Sequence, residues 1–174
     1  MKMKVPIDRR GSSLAESMVA LGLVVVGLLG IVVLSTRSLA LNRDVVNRTI
    51  AAGLAAEGIE VVKNIIDIQI AERGNSAWGA FLEEGSFGLD YESVVDDALT
   101  LPPPSSPLHM METANGWLYL RALPGGTVSS NFSRTVSISF PSPYEISVRS
   151  VVGWSDRGTP RSLEVEDHFF NWRP

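Results

Sequence analysis

Cysteine is absent from the 174-residue chain, which excludes disulfide frameworks, thiol nucleophiles and thiolate metal sites, and leaves the redox compartment undetermined. Histidine is nearly as scarce. His109 and His168 stand far apart, without cysteine companions or helical two-histidine spacing, so they read as surface residues and no zinc site is expected. Positive charge is also in short supply: 15 Lys and Arg against 19 Asp and Glu leave a net charge of −4. That balance gives no basic field for phosphate, and no nucleic-acid partner is expected. Phosphate loops, dinucleotide fingerprints and nucleophile elbows are missing, and the many serines have no histidine and acid arranged around them. The expectation is a non-enzymatic protein without a cofactor. Asp90, Glu92, Asp96 and Asp97 form an acidic group, but the alternating oxygen-ligand loop with its central glycine is absent, so it reads as a solvated face and no metal is expected.

What the chain does have is one dense apolar run. Its length suits one domain, or one domain with an appended helix. From Met18 to Leu34 every residue is Ala, Val, Ile, Leu, Met or Gly, and as a helix this run covers roughly 25 Å, nearly a bilayer core. Lys2, Lys4, Arg9 and Arg10 precede it against a single Asp8, a modest bias that keeps the N-terminus cytoplasmic. A cleaved secretory signal would end in a small-residue site and a turn. Instead the helical pattern continues through Ser35, Thr36 and Arg37. Arg9 and Arg10 are followed by Gly11, Ser12 and Ser13 rather than by apolar residues, which argues against a twin-arginine export signal.

Glu16 stands at the mouth of the run. An ionised carboxylate at membrane depth costs on the order of 3 kcal/mol unless paired, whereas at headgroup level it is simply solvated. The stretch Arg9-Arg10-Gly11-Ser12-Ser13-Leu14-Ala15-Glu16, followed by Ser17-Met18-Val19-Ala20-Leu21, resembles the leader and processing site of type IV prepilins. In that family a short basic leader ends in Gly, a membrane peptidase cuts after it, and a Glu lies fifth in the mature chain. Gly11 and Glu16 fit both positions. Ser12 and Ser13 depart from the usual Phe or Met followed by Thr, while Leu14 keeps the pattern.

The resemblance implies a leader over 1–11, cleavage between Gly11 and Ser12 by a prepilin peptidase on the cytoplasmic side, and N-methylation of Ser12. It implies a single-pass protein of the inner membrane whose C-terminal domain is extracytoplasmic and which later enters a pilus or pseudopilus. Its partners would be other pilin or pseudopilin subunits, the prepilin peptidase and methyltransferase, and an inner-membrane assembly platform. Glu16 would pair with the N-terminal amine of a neighbouring subunit, offsetting the membrane penalty on assembly. Gly27 to Gly30, Gly-Leu-Leu-Gly, resembles minor-pilin N-termini.

Beyond Leu34 no proline occurs before Pro102, and Val46, Ile50, Leu54, Val61, Ile65 and Ile68 recur mostly at three- or four-residue steps, an amphipathic helix. Asp44 with Arg48 and Glu60 with Lys63 are spaced to pair along its solvated side. Gly53 and Gly58 either weaken this stretch or permit close packing, and the residues leave both readings open. The pattern fades at Arg73-Gly74-Asn75, a C-terminal stop. A helix from Ser13 to Glu72 would run roughly 90 Å, so its N-terminal half has to find lipid and then other helices. Leu54 to Ile65 also resembles a stretch of some pilin-like proteins.

Downstream, 74–116 reads as an irregular connecting region with Trp78, Phe81, Phe87 and Tyr91 ahead of the stiff Pro102-to-Pro107 loop. Within 117–174, Trp117 to Leu123, Arg134 to Phe140, Tyr144 to Trp154 and Arg161 to Phe169 read as strands, with Val136, Ile138 and Phe140 opposing Thr135, Ser137 and Ser139. Breaks at Pro124-Gly125-Gly126, Pro141-Ser142-Pro143 and Ser155 to Pro160 suit antiparallel connections, and the simplest arrangement is a four-stranded meander. The sheet's apolar face needs a cover, and the only long amphipathic element is the helix containing Val46 to Ile68. Trp78, Trp117, Trp154 and Trp172 read as core or rim rather than as a ligand platform.

The expected fold is therefore α+β and pilin-like: an N-terminal helix with an assembly half over 12–36 and an amphipathic half over 37–73, the latter packed on an antiparallel sheet. The expected function is that of a minor pilin or pseudopilin, a structural subunit of a type IV pilus or a type II secretion pseudopilus. The rivals are a single-pass membrane-anchored sensor or binding protein with an interfacial Glu16, and an adhesin whose loops around Trp78 to Pro107 meet a surface.

Overall fold

The structure, a computed structural model, describes residues 10–80, 82–89, 104, 107–114, 116–120 and 128–172. Residues 1–9, the Asp90-to-Asp97 acidic group and the Pro124-Gly125-Gly126 break lie outside the described residues, as does the side chain of Trp117. The chain divides into two compact units, Met1–Val45 and Val46–Pro174. A single helix, α1 (Arg10–Arg73), supplies the first unit's described structure and opens the second.

The helix ends where the sequence stops favouring it. Gly74 takes φ +79°, a conformation that costs glycine nothing, and its N–H donates to the Ile70 carbonyl at 2.9 Å, satisfying one of the last turn's orphan acceptors. A short 3-10 turn, Asn75–Ala77, follows.

Among the described residues of the second unit, seven strands form two antiparallel sheets: β1 (Gly85–Phe87), β2 (His109–Thr113), β3 (Gly116–Leu120), β4 (Val128–Ser129), β5 (Phe132–Ser142), β6 (Glu145–Asp156) and β7 (Thr159–Phe170). The larger sheet runs β1-β5-β6-β7 and the smaller β3-β2-β4. The meander expectation is corrected at its first member. The strand near Trp117 pairs with β2, and the fourth strand of the main sheet is β1, against Val136 to Ile138 of β5.

Two more expectations shift. β5 continues through Pro141, with a register irregularity between Ser139 and Ser142. Phe140 keeps the inward parity, its ring standing with Ile146 against Gly79, but at the margin of the core it is 37% exposed. On α1, Val46 and Ile68 are exposed, while the covering face takes in Ala51, Leu54, Ala55, Gly58, Ile59, Val61, Val62, Ile65, Ile66 and Gln69. Small residues at Ala51, Ala55 and Gly58 let the helix sit close to the sheet, and that close approach sets its rotation.

Alternation along β5 and β6 fills the space beneath the helix. Val136, Ile138, Ile146 and Val148 pack with Ile59, Val62, Ile65 and Ile66 in one apolar cluster. Phe132, Val152 and Trp154 pack with Ala51, Leu54, Ala55 and Leu108 in the other. Tyr119 of β3 meets Phe132 edge-on at 6.1 Å, which ties the smaller sheet to the second cluster.

Between the two clusters lies a polar layer made by Gly58, Arg134 and Ser150. Arg134 is 1% exposed. Its Nη1 donates to the Leu54 carbonyl at 2.9 Å and its Nη2 to the Leu89 carbonyl at 2.6 Å. Glu57 Oε1 lies 3.4 Å from the guanidinium. A buried cation is tolerated only when paired and hydrogen-bonded, and here the helix, the loop after β1 and a carboxylate all contribute. Gly58 leaves room for it: a Cβ there would stand 2.7 Å from Ser150 Oγ and 2.9 Å from Val136 Cγ2. Close packing is therefore the role of Gly58. Gly53 has nothing within 4 Å of its would-be Cβ.

Candidate assembly interface

The first unit carries the residues singled out by the sequence. Gly11 and Ser12 lie in the first turn of α1, where backbone N–H groups have no intrahelical acceptor. Glu16 follows one turn later, exposed. From Ser13 to Leu39 every residue is exposed, and Leu14, Met18, Leu21, Val24, Leu28, Ile31 and Leu34 each leave more than half their surface open. The apolar residues go all round the helix, as in a segment enclosed by lipid or by other helices. Each such side chain gains roughly 1.5–3 kcal/mol on full burial, so the surface is built to be covered.

Hydroxyl groups at both ends of the run are satisfied within the helix. Ser17 Oγ donates to the Ser13 carbonyl at 2.9 Å. Thr36 Oγ1 donates to the Val32 carbonyl at 2.6 Å and lies 3.1 Å from that of Val33. Such back-bonding lets a hydroxyl enter a low-dielectric medium without an external partner. Glu16 has no such local option, since its carboxylate accepts and does not donate. By length and composition the helix is able to cross a membrane, and it suits membrane association.

On the second unit, Glu60 and Lys63 pair at 3.3 Å as their spacing predicts. The outer face of the main sheet carries a ladder of charges across β6 and β7. Arg149 lies 3.3 Å from both Glu164 and Glu166, and Ser147 Oγ donates to Glu166 Oε1 at 2.8 Å. The Ser147 hydrogen bond holds the Glu166 carboxyl below its ordinary pKa; desolvation, the next largest influence, opposes this, and Arg149 and His168 reinforce the lowering. His168 reaches Glu145 Oε1 through Nδ1 at 2.7 Å. His109 sits on β2, half-buried. The tryptophans divide: Trp154 is core, Trp78 packs half-buried against the first cluster, and Trp172 is 77% exposed.

Arg134 carries no motif that marks it in the sequence, but it shares the strand parity of Val136 and Ile138 and so lies on the inner face. Of the core and rim positions expected for the tryptophans, Trp172 is not in the core.

A long N-terminal apolar helix, its second half packed under an antiparallel sheet, defines a pilin-like α+β fold with a membrane-capable anchor. Comparison of the chain with protein-family models, curated proteins and solved structures gives no match in any of the three.

Proposed function

We propose that the chain is a minor pilin or pseudopilin, a non-enzymatic subunit of a type IV pilus or a type II secretion pseudopilus. In this reading it is inserted in the inner membrane with its N-terminus cytoplasmic and its C-terminal domain extracytoplasmic. A prepilin peptidase cuts between Gly11 and Ser12, and the new Ser12 amine is methylated. On assembly that amine meets Glu16 of a neighbouring subunit, and the apolar residues from Met18 to Leu34 exchange lipid for other helices.

The observation that carries the reading is one helix with two halves. One is apolar on all sides, with a lone carboxylate at its start, and the other is amphipathic and packed on a sheet. A carboxylate in that position is costly unless something cationic arrives, and the freshly cut amine is the cation that the processing chemistry supplies. A single-pass sensor needs neither the cut nor the carboxylate.

Mass spectrometry of the mature N-terminus, in cells with an active prepilin peptidase, tests the reading. An N-methylated Ser12 is the expected result. A chain that keeps its first eleven residues overturns it and favours a membrane-anchored binding protein.

A further inference from the structure

We propose that the cleft between the last turns of α1 and the C-terminal end of β7 binds a neutral sugar ring. The cleft encloses about 270 Å³, close to the lower end of the size range of small-molecule sites. One side of it is fixed. Ile66 is buried in the main core, and Ile70, Trp78 and Phe169 pack against that core.

The other side is open at Trp172, which is 77% exposed, while the neighbouring Phe170 ring stacks on His168 at 6.5 Å. The backbone that carries the indole is hydrogen-bonded. The Asn171 N–H donates to the Tyr144 carbonyl at 2.9 Å, and the Trp172 N–H to the Phe170 carbonyl at 3.1 Å. An indole this open at the mouth of a cleft, on an anchored backbone, offers a face that an occupant can cover.

The polar lining selects the occupant. Lys63, which also pairs with Glu60, and Asp67 bring opposite charges from the helix, and Asn75, His168 and Asn171 add further polar groups. A purely apolar guest would strip these groups of water without replacing their hydrogen bonds. A strongly charged guest of either sign would meet a like charge. A pyranose meets both demands. Its C–H face lies on an indole ring, and its hydroxyls both donate to the carboxylate and accept from the ammonium and the amide.

The proposal does not depend on filament membership. It is tested on the full chain in a detergent that carries no sugar headgroup. The probes are methyl glucoside, methyl galactoside, N-acetylglucosamine and lactose, followed by tryptophan emission and by saturation transfer from protein to ligand protons. At least one should bind saturably with Kd on the order of 1 mM, the affinity open to so small a ligand. Trp172→Ala should weaken it about tenfold, a lost stacking partner. Asp67→Asn, an exposed change that leaves the fold alone, should weaken it several-fold.

The proposal fails if none of the four saccharides gives saturable binding, or if both variants bind as the parent does. It also fails if phosphocholine, a quaternary ammonium suited to aromatic cages, binds in their place. Trp172→Ala should leave the processing of Ser12 and incorporation into filaments unchanged, so the two readings fail separately.

Discussion

The guanidinium of Arg134, on the strand β5, donates to the backbone carbonyl of Leu54 in the middle of α1 at 2.9 Å. That carbonyl already belongs to the helix ladder, so the side chain adds a second donor to it and joins the sheet to the helix without disturbing the helix. Replacing Arg134 with Ala removes two hydrogen bonds to carbonyls and leaves a cavity. A loss of about 3 kcal/mol is expected. Arg134→Met fills much of the space with apolar atoms and should lose less than half as much, since Glu57 is partly solvated and tolerates the loss of its partner. Chemical denaturation of the two variants in mild detergent checks the order.

Gly58 and Gly53 share one helix and should respond oppositely to the same change. Gly53→Ala gains about 1 kcal/mol of helix propensity into open space. Gly58→Ala places a methyl group within 3 Å of Ser150 and Val136, and overpacking of this kind costs about 1–3 kcal/mol, outweighing the propensity gain. Paired melting curves decide it. A stabilised Gly58→Ala would mean that the helix-to-sheet contact is looser than the structure places it.

Much of this architecture was legible. The helix, its stop at Gly74 and the three long strands follow from period and punctuation, signals that are local and repeated. Arg134 was less visible because charge argues for the surface, and only strand parity puts it inside. β1, with the sequence Gly-Ser-Phe, and β4, of two residues, are too short to carry any period. They exist because β5 and β2 offer free edges, a tertiary cause. The rotation of α1 was also hidden: Ile68 looked like core, but small residues set which face could come close.

The Glu166 carboxyl is held below its ordinary pKa in the folded chain, chiefly by the Ser147 hydroxyl and also by Arg149 and His168. A depressed folded pKa contributes stability above the unfolded value and loses it as the pH falls through the folded one. The contribution should therefore fade below about pH 4. Ser147→Ala should raise the Glu166 pKa, read by carboxyl carbon chemical shifts, and should narrow the acid range over which the fold persists.

Under the proposed function, assembly should turn on Glu16. Glu16→Gln keeps the shape and removes the charge, and its incorporation into sheared filaments should fall below about a tenth of the parent level, an effect of more than 1.4 kcal/mol. Glu16→Asp, one methylene shorter, should recover part of it. Equal incorporation of Glu16→Gln would remove the electrostatic account and leave apolar packing alone.

The bonds at Arg134 also bear on mechanical load. A pull along the axis of α1 would drag Leu54 and Glu57 past a guanidinium that is held at the same time by the Leu89 carbonyl. These links are strained together rather than one after another, so they resist shear as a group. A helix bolted to its sheet at mid-length in this way can pass tension into the sheet before the apolar layers begin to slide.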